Sequence, residues 1–169
     1  MLDRPCDDCG CDPAAVEVAD LAELILRNAR AWPGALAGPL AARRPDQGTW
    51  SVLEYGCHVR DVHRVMAGRV RVMLAEDDAE FPNWDQDATA VEDRYDVQEP
   101  VKVGAEVLAA AAEVAALYAQ VADEQWDRSG RRSNGSVFTV ASIGRYHLHD
   151  VVHHLHDIGV APATSAGTP

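Results

Sequence analysis

The chain contains 169 residues, of which 47% are hydrophobic and 25% are charged. This length and composition are typical of a single globular domain that buries its own core. The formal net charge of -12 at pH 7 would repel the phosphates of nucleic acids and of anionic lipids. We therefore expect neither nucleic acid nor a membrane surface among the partners.

Two further features indicate the compartment. No apolar run approaches the roughly 20 residues that cross a bilayer, and no apolar signal segment follows the opening residues Met1 to Pro5. The four cysteines, three within residues 6–11 and the fourth at Cys57, are too clustered to form a disulfide framework. The sequence predicts a cytoplasmic protein with reduced thiols.

The first predicted helix follows a Cys- and Asp-rich segment, residues 1–12, that has no apolar periodicity. Proline suits the first position of a helix, and after Pro13 apolar residues recur at helical spacing as far as Ala31. We predict that the helix begins near Pro13. A proline and a glycine within residues 32–34 should weaken or kink it before Leu40.

The second predicted helix begins directly after Trp50. Ser51 can cap its N-terminus, and Glu54 can complete a capping box. A long apolar stripe follows at helical spacing and continues to about Ala75. Its members are Val52, Tyr55, Val59, Val62, Met66, Val70 and Met73.

A long acidic connection, residues 76–99, follows helix two and shows no sustained period. Connections of this length in compact domains are often functional. We expect this one to fold over one end of the bundle, where it could act as a lid. Pro100 then begins a third, alanine-rich helix that the pattern extends to about Ala122.

The remainder of the chain predicts one more helix. Residues 129–136 are typical of a turn-rich loop, and no convincing pair of strands is found in the chain. Residues 137–140 lead into the final helix, which Gly159 can cap. The sequence therefore predicts an all-α fold. It is a four-helix bundle over residues 13–160, with a long loop between helices two and three and a flexible tail at 161–169.

All seven histidines fall in two predicted helices, which is the strongest functional signal in the sequence. Imidazole is a common metal ligand, and side chains four residues apart on a helix can converge on one ion. Helix two carries His58 and His63. Helix four carries His147, His149, His153, His154 and His156.

Two pairs in the last helix have the required spacing: His149 with His153, and Asp150 with His154. His153 falls almost opposite the apolar stripe of this helix, whereas His154 and Asp150 lie near its edge, where side chains can reach into a bundle. The periodicity favours Asp150 and His154 and leaves the other pair open. The residues that define the stripe are Leu148, Val151, Val152, Leu155 and Ile158.

His58 also lies at the margin of an apolar stripe, that of helix two. Asp61, one turn later, either orients His58 or pairs with Arg64, and we favour the pairing. The histidines have two plainer explanations, a solvated polar face or a pH sensor whose imidazoles titrate near their usual pKa of about 6.5. Five histidines in so short a stretch favour a metal site over both.

These residues resemble the DinB-like superfamily, which includes thiol-dependent S-transferases and mycothiol-dependent maleylpyruvate isomerases. The resemblance rests on Trp50-Ser51 followed by His58 and on the stretch 149–158, and it covers nearly the whole chain after residue 12. In that family a histidine follows a tryptophan in helix two, and the last helix carries His or Glu followed four residues later by His. Asp150 departs from this pattern.

The resemblance implies a metal ion held by His58, Asp150 and His154, with positions open for water or substrate. Zinc is the expected metal and nickel is the alternative. The family further implies a transferase or isomerase that uses a low-molecular-weight thiol such as mycothiol on a small electrophile, and a homodimer. No catalytic residue is assigned. A non-catalytic metal- or ligand-binding module linked to stress is the alternative function.

Four other residues near the expected ligands have less specific roles. Tyr55, Arg145 and Tyr146 could line a pocket, although core packing or surface pairing is the favoured role of each. Cys57, beside His58, is more often a packing residue than a nucleophile.

The N-terminal cysteines Cys6, Cys9 and Cys11 resemble half of a metal knuckle. A fourth ligand with matching spacing is absent from the sequence, so we favour a flexible tail that is oxidisable or binds metal adventitiously. To close a site, Asp7, Asp12 or a residue of a partner chain would have to contribute.

Overall fold

A computed structural model describes residues 4–165, and its architecture is mostly helical. Residues 1–3 and 166–169, parts of the predicted N-terminal segment and tail, lie outside the described residues. The α-helices are α1 (Leu21–Ala29), α2 (Trp32–Leu36), α3 (Val52–Ala75), α4 (Gln86–Glu92), α5 (Pro100–Tyr118) and α6 (Val140–Asp157). The strands are β1 (Ala79–Phe81), β2 (Ser129–Arg132) and β3 (Val137–Thr139).

Helices α1, α3, α5 and α6 form the predicted four-helix bundle. α3 packs against α5 and α6, and α1 packs against the same two helices, so α1 and α3 stand diagonally across one core. α2 is separate from α1, as the proline and glycine predict, and it buries Trp32 completely. Cys57 is also fully buried, which agrees with a packing role. Other core residues include Leu24, Ile25, Leu53, Val107, Val114, Ile143 and Leu148.

α3 begins where the sequence predicts because its first turn carries a complete capping box. The Glu54 amide donates to the Ser51 hydroxyl at 3.2 Å, and the Ser51 amide donates to the Glu54 carboxylate at 2.9 Å. Arg44 also donates to that carboxylate, with Nε at 2.9 and 3.0 Å from its oxygens. These bonds satisfy amides that a helix start leaves free and fix the helix that carries His58.

The first α-helix begins later than predicted. Pro13–Ala15 and Val18–Asp20 are short 3₁₀ helices, and α1 starts only at Leu21. Between them Val16 is extended, and its carbonyl accepts a hydrogen bond from Arg145 Nε of α6 at 2.9 Å. This tertiary hydrogen bond holds the Val16 carbonyl toward α6 rather than toward the next turn of its own helix. The contact therefore interrupts the helical pattern.

The connection between α3 and α5 contains regular structure. It includes β1, α4 and a 3₁₀ helix at Tyr95–Val97, and it packs along α3. Tyr95 is completely buried and donates to Asp61 Oδ2 of α3 at 2.6 Å. α5 ends at Tyr118 rather than near Ala122, where the chain turns toward the 3₁₀ helix at Asp123–Gln125.

A small sheet corrects the all-α prediction. β2 pairs in parallel with β1 and antiparallel with β3, in the order β1-β2-β3. The predicted loop at 129–136 is therefore part of a hairpin, whose turn uses Gly135 at φ +92°. Gly130 is required by close packing, because a Cβ there would lie 2.7 Å from Met73 Cγ and 2.8 Å from a Phe81 ring carbon.

The chain turns back after α6. Gly159, the predicted cap, has φ +73°, and the backbone of Ala163 exchanges two hydrogen bonds with the buried Asn28 side chain of α1, at 2.8 and 2.9 Å. Within residues 4–165 no helix is both long and apolar enough to cross a bilayer.

Candidate metal centre

Three predicted ligands meet between α3 and α6. His58 comes from α3, while Asp150 and His154 are one turn apart on α6. Each offers one ligand atom, and the three atoms lie within 4.8 Å of one another. His58 Nε2 is 3.9 Å from Asp150 Oδ2, and His154 Nε2 is 3.8 Å from Asp150 Oδ1. The structure therefore places Asp150 and His154 beside His58. The role of these three residues as metal ligands stays a prediction.

The apolar stripe of α6 sets this geometry. Because the stripe is buried in the bundle, the residues at its edge are directed along the cleft toward α3. The side chains of Asp150 and His154 are accordingly only partly exposed, at 25% and 15%. Burial raises the pKa of Asp150. The buried residues of the stripe are Leu148, Val151, Val152 and Leu155.

The His58 imidazole is buried without a hydrogen-bond partner. It is 1% exposed, and neither ring nitrogen has a partner within residues 4–165. Burial, reinforced by the neighbouring His154, lowers the pKa of His58 to about 3. The ring is therefore neutral at physiological pH, the form in which imidazole binds metals. Because a buried polar atom without a partner is costly, the site favours a ligand for these nitrogens.

Asp157 fixes the orientation of His154. Asp157 Oδ2 lies 2.9 Å from His154 Nδ1. Burial alone would raise the pKa of Asp157, but the bond with His154 holds it below its usual value. An ionised carboxylate can only accept, so Nδ1 carries the proton in this bond, and in the neutral form of the ring Nε2, the nitrogen that faces Asp150, is an acceptor. Such a carboxylate behind a histidine is usual at metal sites.

Aromatic rings surround the three residues. Trp84, from the connection between α3 and α5, stacks on His58 with the ring planes 5° apart and the centroids at 5.3 Å. The Trp50 ring lies 5.4 Å from the same imidazole, and the Tyr55 ring lies 5.3 Å from His154. The connection packs along α3, and its Trp84 reaches the site. A role of the connection as a lid stays a prediction.

The other two pocket candidates lie elsewhere. Arg145 donates to the Val16 carbonyl at 2.9 Å, and Tyr146 packs against Phe138 of β3 with centroids 5.9 Å apart. Of the three residues suggested by the sequence, only Tyr55 borders the site.

Asp61 serves the connection rather than His58. Its carboxylate accepts from Arg60 at 2.8 and 3.0 Å, from Arg64 at 3.0 Å and from the Tyr95 hydroxyl at 2.6 Å. Burial alone would raise the pKa of Asp61, but these hydrogen bonds hold it below its usual range. The favoured pairing with Arg64 is thus confirmed, within a larger network.

Two more histidines belong to the core. His63 Nδ1 lies 2.9 Å from His147 Nε2, and the Tyr118 hydroxyl lies 3.2 Å from His147 Nδ1. Burial lowers the pKa of His63 to about 3 and that of His147 well below its usual value. His147 therefore does not titrate near neutral pH, which contradicts the pH-sensor interpretation for this residue.

The alternative pair on α6 also gathers ligands, but at a different place. His149 and His153 lie beside the N-terminal segment, where their nitrogens and the sulfurs of Cys6 and Cys9 all fall within 4.8 Å. The two pairs on α6, Asp150 with His154 and His149 with His153, therefore belong to two different clusters. Cys11 is not part of the second cluster, since it is buried in the core, where burial raises its pKa to about 11.

Sequence reasoning missed Trp84 and the meeting of two cysteines with two histidines. Trp84 is a single aromatic residue in a segment without periodicity, so nothing in the pattern marks it. Cys6 and His153 are separated by 147 positions in the chain, beyond the reach of spacing arguments. The one available signal was that the cysteine pair and the histidine pair each supply two of the four ligands that a closed metal site needs.

The chemistry of His58, Asp150 and His154 fits a divalent metal. Two neutral imidazoles and one carboxylate are an ordinary donor set for catalytic zinc with three protein ligands. Donor atoms 3.8 and 3.9 Å apart are too distant for hydrogen bonds. They leave room between them for an ion bound at about 2.0–2.2 Å from each.

Comparison with known proteins gives two matches. The family model described as the DinB superfamily matches residues 22–158. The fold is similar to YfiT from Bacillus subtilis, described as a probable metal-dependent hydrolase with an unusual four-helix bundle topology. That similarity has a TM-score of 0.66 at 18% sequence identity and covers 80% of this chain and 82% of YfiT, so it shows the fold alone. No curated protein matches the sequence.

Proposed function

Since this chain belongs to the DinB superfamily, we propose that it holds a divalent metal ion between α3 and α6 and uses that ion in catalysis. The proposed ligands are His58, Asp150 and His154, which we call the triad. The observation that carries the proposal is the buried His58 imidazole. Its nitrogens have no partner among residues 4–165, while two donors from α6 face it.

Zinc is the proposed ion and nickel the alternative, because both accept imidazole ligands. A bound ion with an open position lowers the pKa of a water or thiol at that position. The chain itself supplies the orientation: burial keeps His58 neutral, and Asp157 holds the proton on His154 Nδ1. Trp84 stacks on the His58 imidazole, and in this proposal it shields that face of the ring from bulk water.

We further propose that the nucleophile is a low-molecular-weight thiol such as mycothiol, and that the reaction is a transfer to, or an isomerisation of, a small electrophile. Trp50, Tyr55 and Trp84 present apolar faces beside the triad, which suit a small substrate. Burial raises the pKa of Cys57, the sequence neighbour of His58, to about 12. This cysteine is therefore a poor nucleophile, and we propose that the thiol comes from a cosubstrate.

Hydrolysis is the second candidate function. The description of YfiT as a probable metal-dependent hydrolase favours it, and water can take the open position in place of a thiol. The non-catalytic metal- or ligand-binding module is the third, and it requires that neither thiol nor water at the triad reacts with any substrate.

Cobalt(II) in place of zinc tests the proposal, because a thiolate bound to cobalt adds charge-transfer absorption in the near ultraviolet. The full chain carries Cys6→Ser and Cys9→Ser, so that its own clustered thiols add no such band. We expect cobalt to bind at the triad and the band to appear when mycothiol or glutathione is added. His58→Ala should abolish both.

The control is His156→Ala, since His156 is exposed on α6 and belongs to neither cluster. This variant should bind cobalt and thiol like its parent. Cobalt binding without a band at saturating thiol would contradict the thiol proposal, and metal-dependent cleavage of ester or amide substrates would then favour hydrolysis. Cobalt binding that survives His58→Ala would rule out the triad.

Asp157→Asn is expected to weaken metal binding at the triad by about 10- to 100-fold, as loss of a carboxylate behind a ligand histidine does. The asparagine amide can donate as well as accept, so it no longer fixes the proton on His154 Nδ1. The tautomer in which Nε2 is free to bind a metal is then less favoured. Competition for zinc with a chromophoric chelator, in the Cys6→Ser/Cys9→Ser background, measures the affinity. Asp123→Asn, at an exposed carboxylate outside both clusters, is the control. Equal affinities for the two variants would refute this role of Asp157.

A further inference from the structure

We propose that Cys6, Cys9, His149 and His153 form a second metal site, which binds a structural zinc ion. Two thiolates and two imidazoles are the donor set of many closed, tetrahedral zinc sites. Their four ligand atoms lie within 4.8 Å of one another. The site is separate from the triad, and its existence does not depend on the catalytic proposal.

The N-terminal half of the site is a tight turn. The Gly10 amide donates to the Cys6 carbonyl at 3.0 Å, and the Cys6 amide donates to the Cys11 carbonyl at 2.8 Å. Gly10 has φ +69°, a conformation that glycine adopts without strain. Cys6 and Cys9 are separated by two residues, the ordinary spacing of zinc-binding cysteine pairs. The buried Cys11 anchors the turn in the core.

The other half of the site lies on α6. His149 and His153 are one helical turn apart, and their ring centroids are separated by 5.6 Å. His149 is only 8% exposed, and its Nε2 has no hydrogen-bond partner among residues 4–165. A buried nitrogen of this kind calls for a ligand, just as the nitrogens of His58 do at the triad.

The contact between the two halves has the dimension of a zinc site. Cys6 Sγ lies 3.6 Å from His153 Nδ1. In a tetrahedron with Zn–S of about 2.3 Å and Zn–N of about 2.0–2.1 Å, neighbouring sulfur and nitrogen atoms are about 3.5 Å apart. A thiol–imidazole hydrogen bond accounts for one pair at a time, whereas one shared ion accounts for the approach of all four groups.

The surroundings also favour a cation. A cavity of about 240 Å³ lies between the two halves, and Arg4, Asp7 and Asp8 line it. Arg4 pairs with Asp7 at 3.5 Å, so the two carboxylates outnumber the one guanidinium. These carboxylates add negative charge where an ion would enter.

The second site would hold the N-terminal segment against α6, directly beside the triad. Asp157 connects the two sites: its carboxylate lies 3.6 Å from His153 Nε2 and 2.9 Å from His154 Nδ1. With four protein ligands the second ion has no position for a substrate, so its role is structural. Its loss is expected to alter the affinity of the triad through Asp157, without removing any triad ligand.

Zinc stoichiometry tests the site. The full chain without a histidine tag is stripped with a chelator under reducing conditions, reloaded with Zn²⁺, freed of excess metal and measured by elemental analysis. We expect about two zinc ions per chain in the wild type and about one in either Cys6→Ser/Cys9→Ser or His149→Ala/His153→Ala. His58→Ala/His154→Ala should also keep about one, because it removes only the triad. Circular dichroism checks that each variant folds.

Cobalt(II) gives an independent readout. Without added thiol, the sulfur-to-cobalt band should be present in the wild type and in His58→Ala/His154→Ala, and absent in Cys6→Ser/Cys9→Ser. Cys57→Ala, which removes a cysteine outside both clusters, is the control and should keep the band. Zinc content unchanged by Cys6→Ser/Cys9→Ser, or cobalt that binds without the band in His58→Ala/His154→Ala, would overturn the second site. Failure of the triad has a different signature, since zinc content would then be unchanged by His58→Ala/His154→Ala.

Discussion

Replacing Asp61 with alanine is expected to lower the free energy of unfolding by about 3 kcal/mol, the lower end of the range for removing one partner of a buried ion pair, because Glu106 still pairs with Arg60. Asp61 and Arg60 are only 8% and 4% exposed. Without the carboxylate, the Arg60 guanidinium keeps, among residues 4–165, hydrogen bonds to Gln98 and Glu106 and its position over the Tyr95 ring. The buried Tyr95 hydroxyl loses its acceptor as well. Chemical denaturation followed by circular dichroism measures the change.

Arg64→Ala is the matched control. Arg64 donates to the same carboxylate at 3.0 Å, but its side chain is 50% exposed. Exposed ion pairs contribute about 0–1 kcal/mol, so this variant should unfold nearly as the wild type does. Equal losses of stability in the two variants would contradict the assigned role of Asp61.

The contribution of Asp61 should also depend on pH in a defined direction. Its pKa in the folded protein is lowered relative to about 3.9 in an unfolded chain. A group of this kind stabilises the fold fully above its unfolded pKa, and the stabilisation is lost as the pH falls through the folded pKa. The difference in unfolding free energy between the wild type and Asp61→Asn should therefore be constant near neutrality and shrink below about pH 4. A difference that grows on acidification would be inconsistent with a lowered pKa.

The same network links stability to the site. Tyr95, which Asp61 holds, belongs to the connection that also places Trp84 on His58. The Tyr95 ring lies 6.4 Å from Trp50, a second ring beside that imidazole. Loss of Asp61 is therefore expected to loosen the cover of the triad, which faster hydrogen exchange in residues 76–99 would reveal.

Features set by neighbouring residues could be predicted from the sequence. The start of α3 depends on Ser51 and Glu54, which bond to each other within one turn. The grouping of Asp150 with His154 near His58 follows from the apolar stripe of α6, since burial of the stripe decides which residues face α3. Both signals are local, and tertiary packing reinforces them rather than opposing them.

Features set by distant contacts could not be predicted. The glycines of the hairpin at 129–139 are also typical of a turn-rich loop, so the sequence pattern does not reveal the strands. Gly130 is needed because Met73 and Phe81 pack against its backbone. The helix predicted from Pro13 is interrupted because the Val16 carbonyl bonds to α6. In each case the deciding partner lies far away in the sequence, so propensity and periodicity do not register it.

The second cluster shows the same limit at the level of function. Each half has a recognisable spacing, two cysteines in a knuckle and two histidines one turn apart, yet neither half indicates its partner. Only the fold places Cys6 and Cys9 beside His149 and His153. Periodicity treats the two pairs on α6 as competing registers because it considers one helix at a time.

His58→Leu is expected to abolish metal binding at the triad while leaving the metal-free protein as stable as the wild type or more stable. A buried polar group without partners costs about 1–3 kcal/mol, and both His58 nitrogens are in this situation within the described residues. Leucine removes that cost. The loss of affinity should exceed the roughly 10- to 100-fold expected for losing a partner behind a ligand.

His63→Leu is the matched comparison, since it changes a second buried histidine of the same helix. His63 Nδ1 bonds to His147 at 2.9 Å, whereas its Nε2 has no partner among residues 4–165. Leucine breaks the buried hydrogen bond, which costs about 1 kcal/mol, and removal of the unpaired Nε2 offsets part of that cost, while zinc binding persists. Unfolding of both variants with and without zinc, in the Cys6→Ser/Cys9→Ser background, separates the cases. Zinc at 100 times its Kd should stabilise His63→Leu by about 2.7 kcal/mol and leave His58→Leu unchanged. In the absence of metal, the imidazole of a metal ligand should not stabilise the fold. A metal-free His58→Leu protein that is clearly less stable than His63→Leu would therefore mean that His58 is a packing residue.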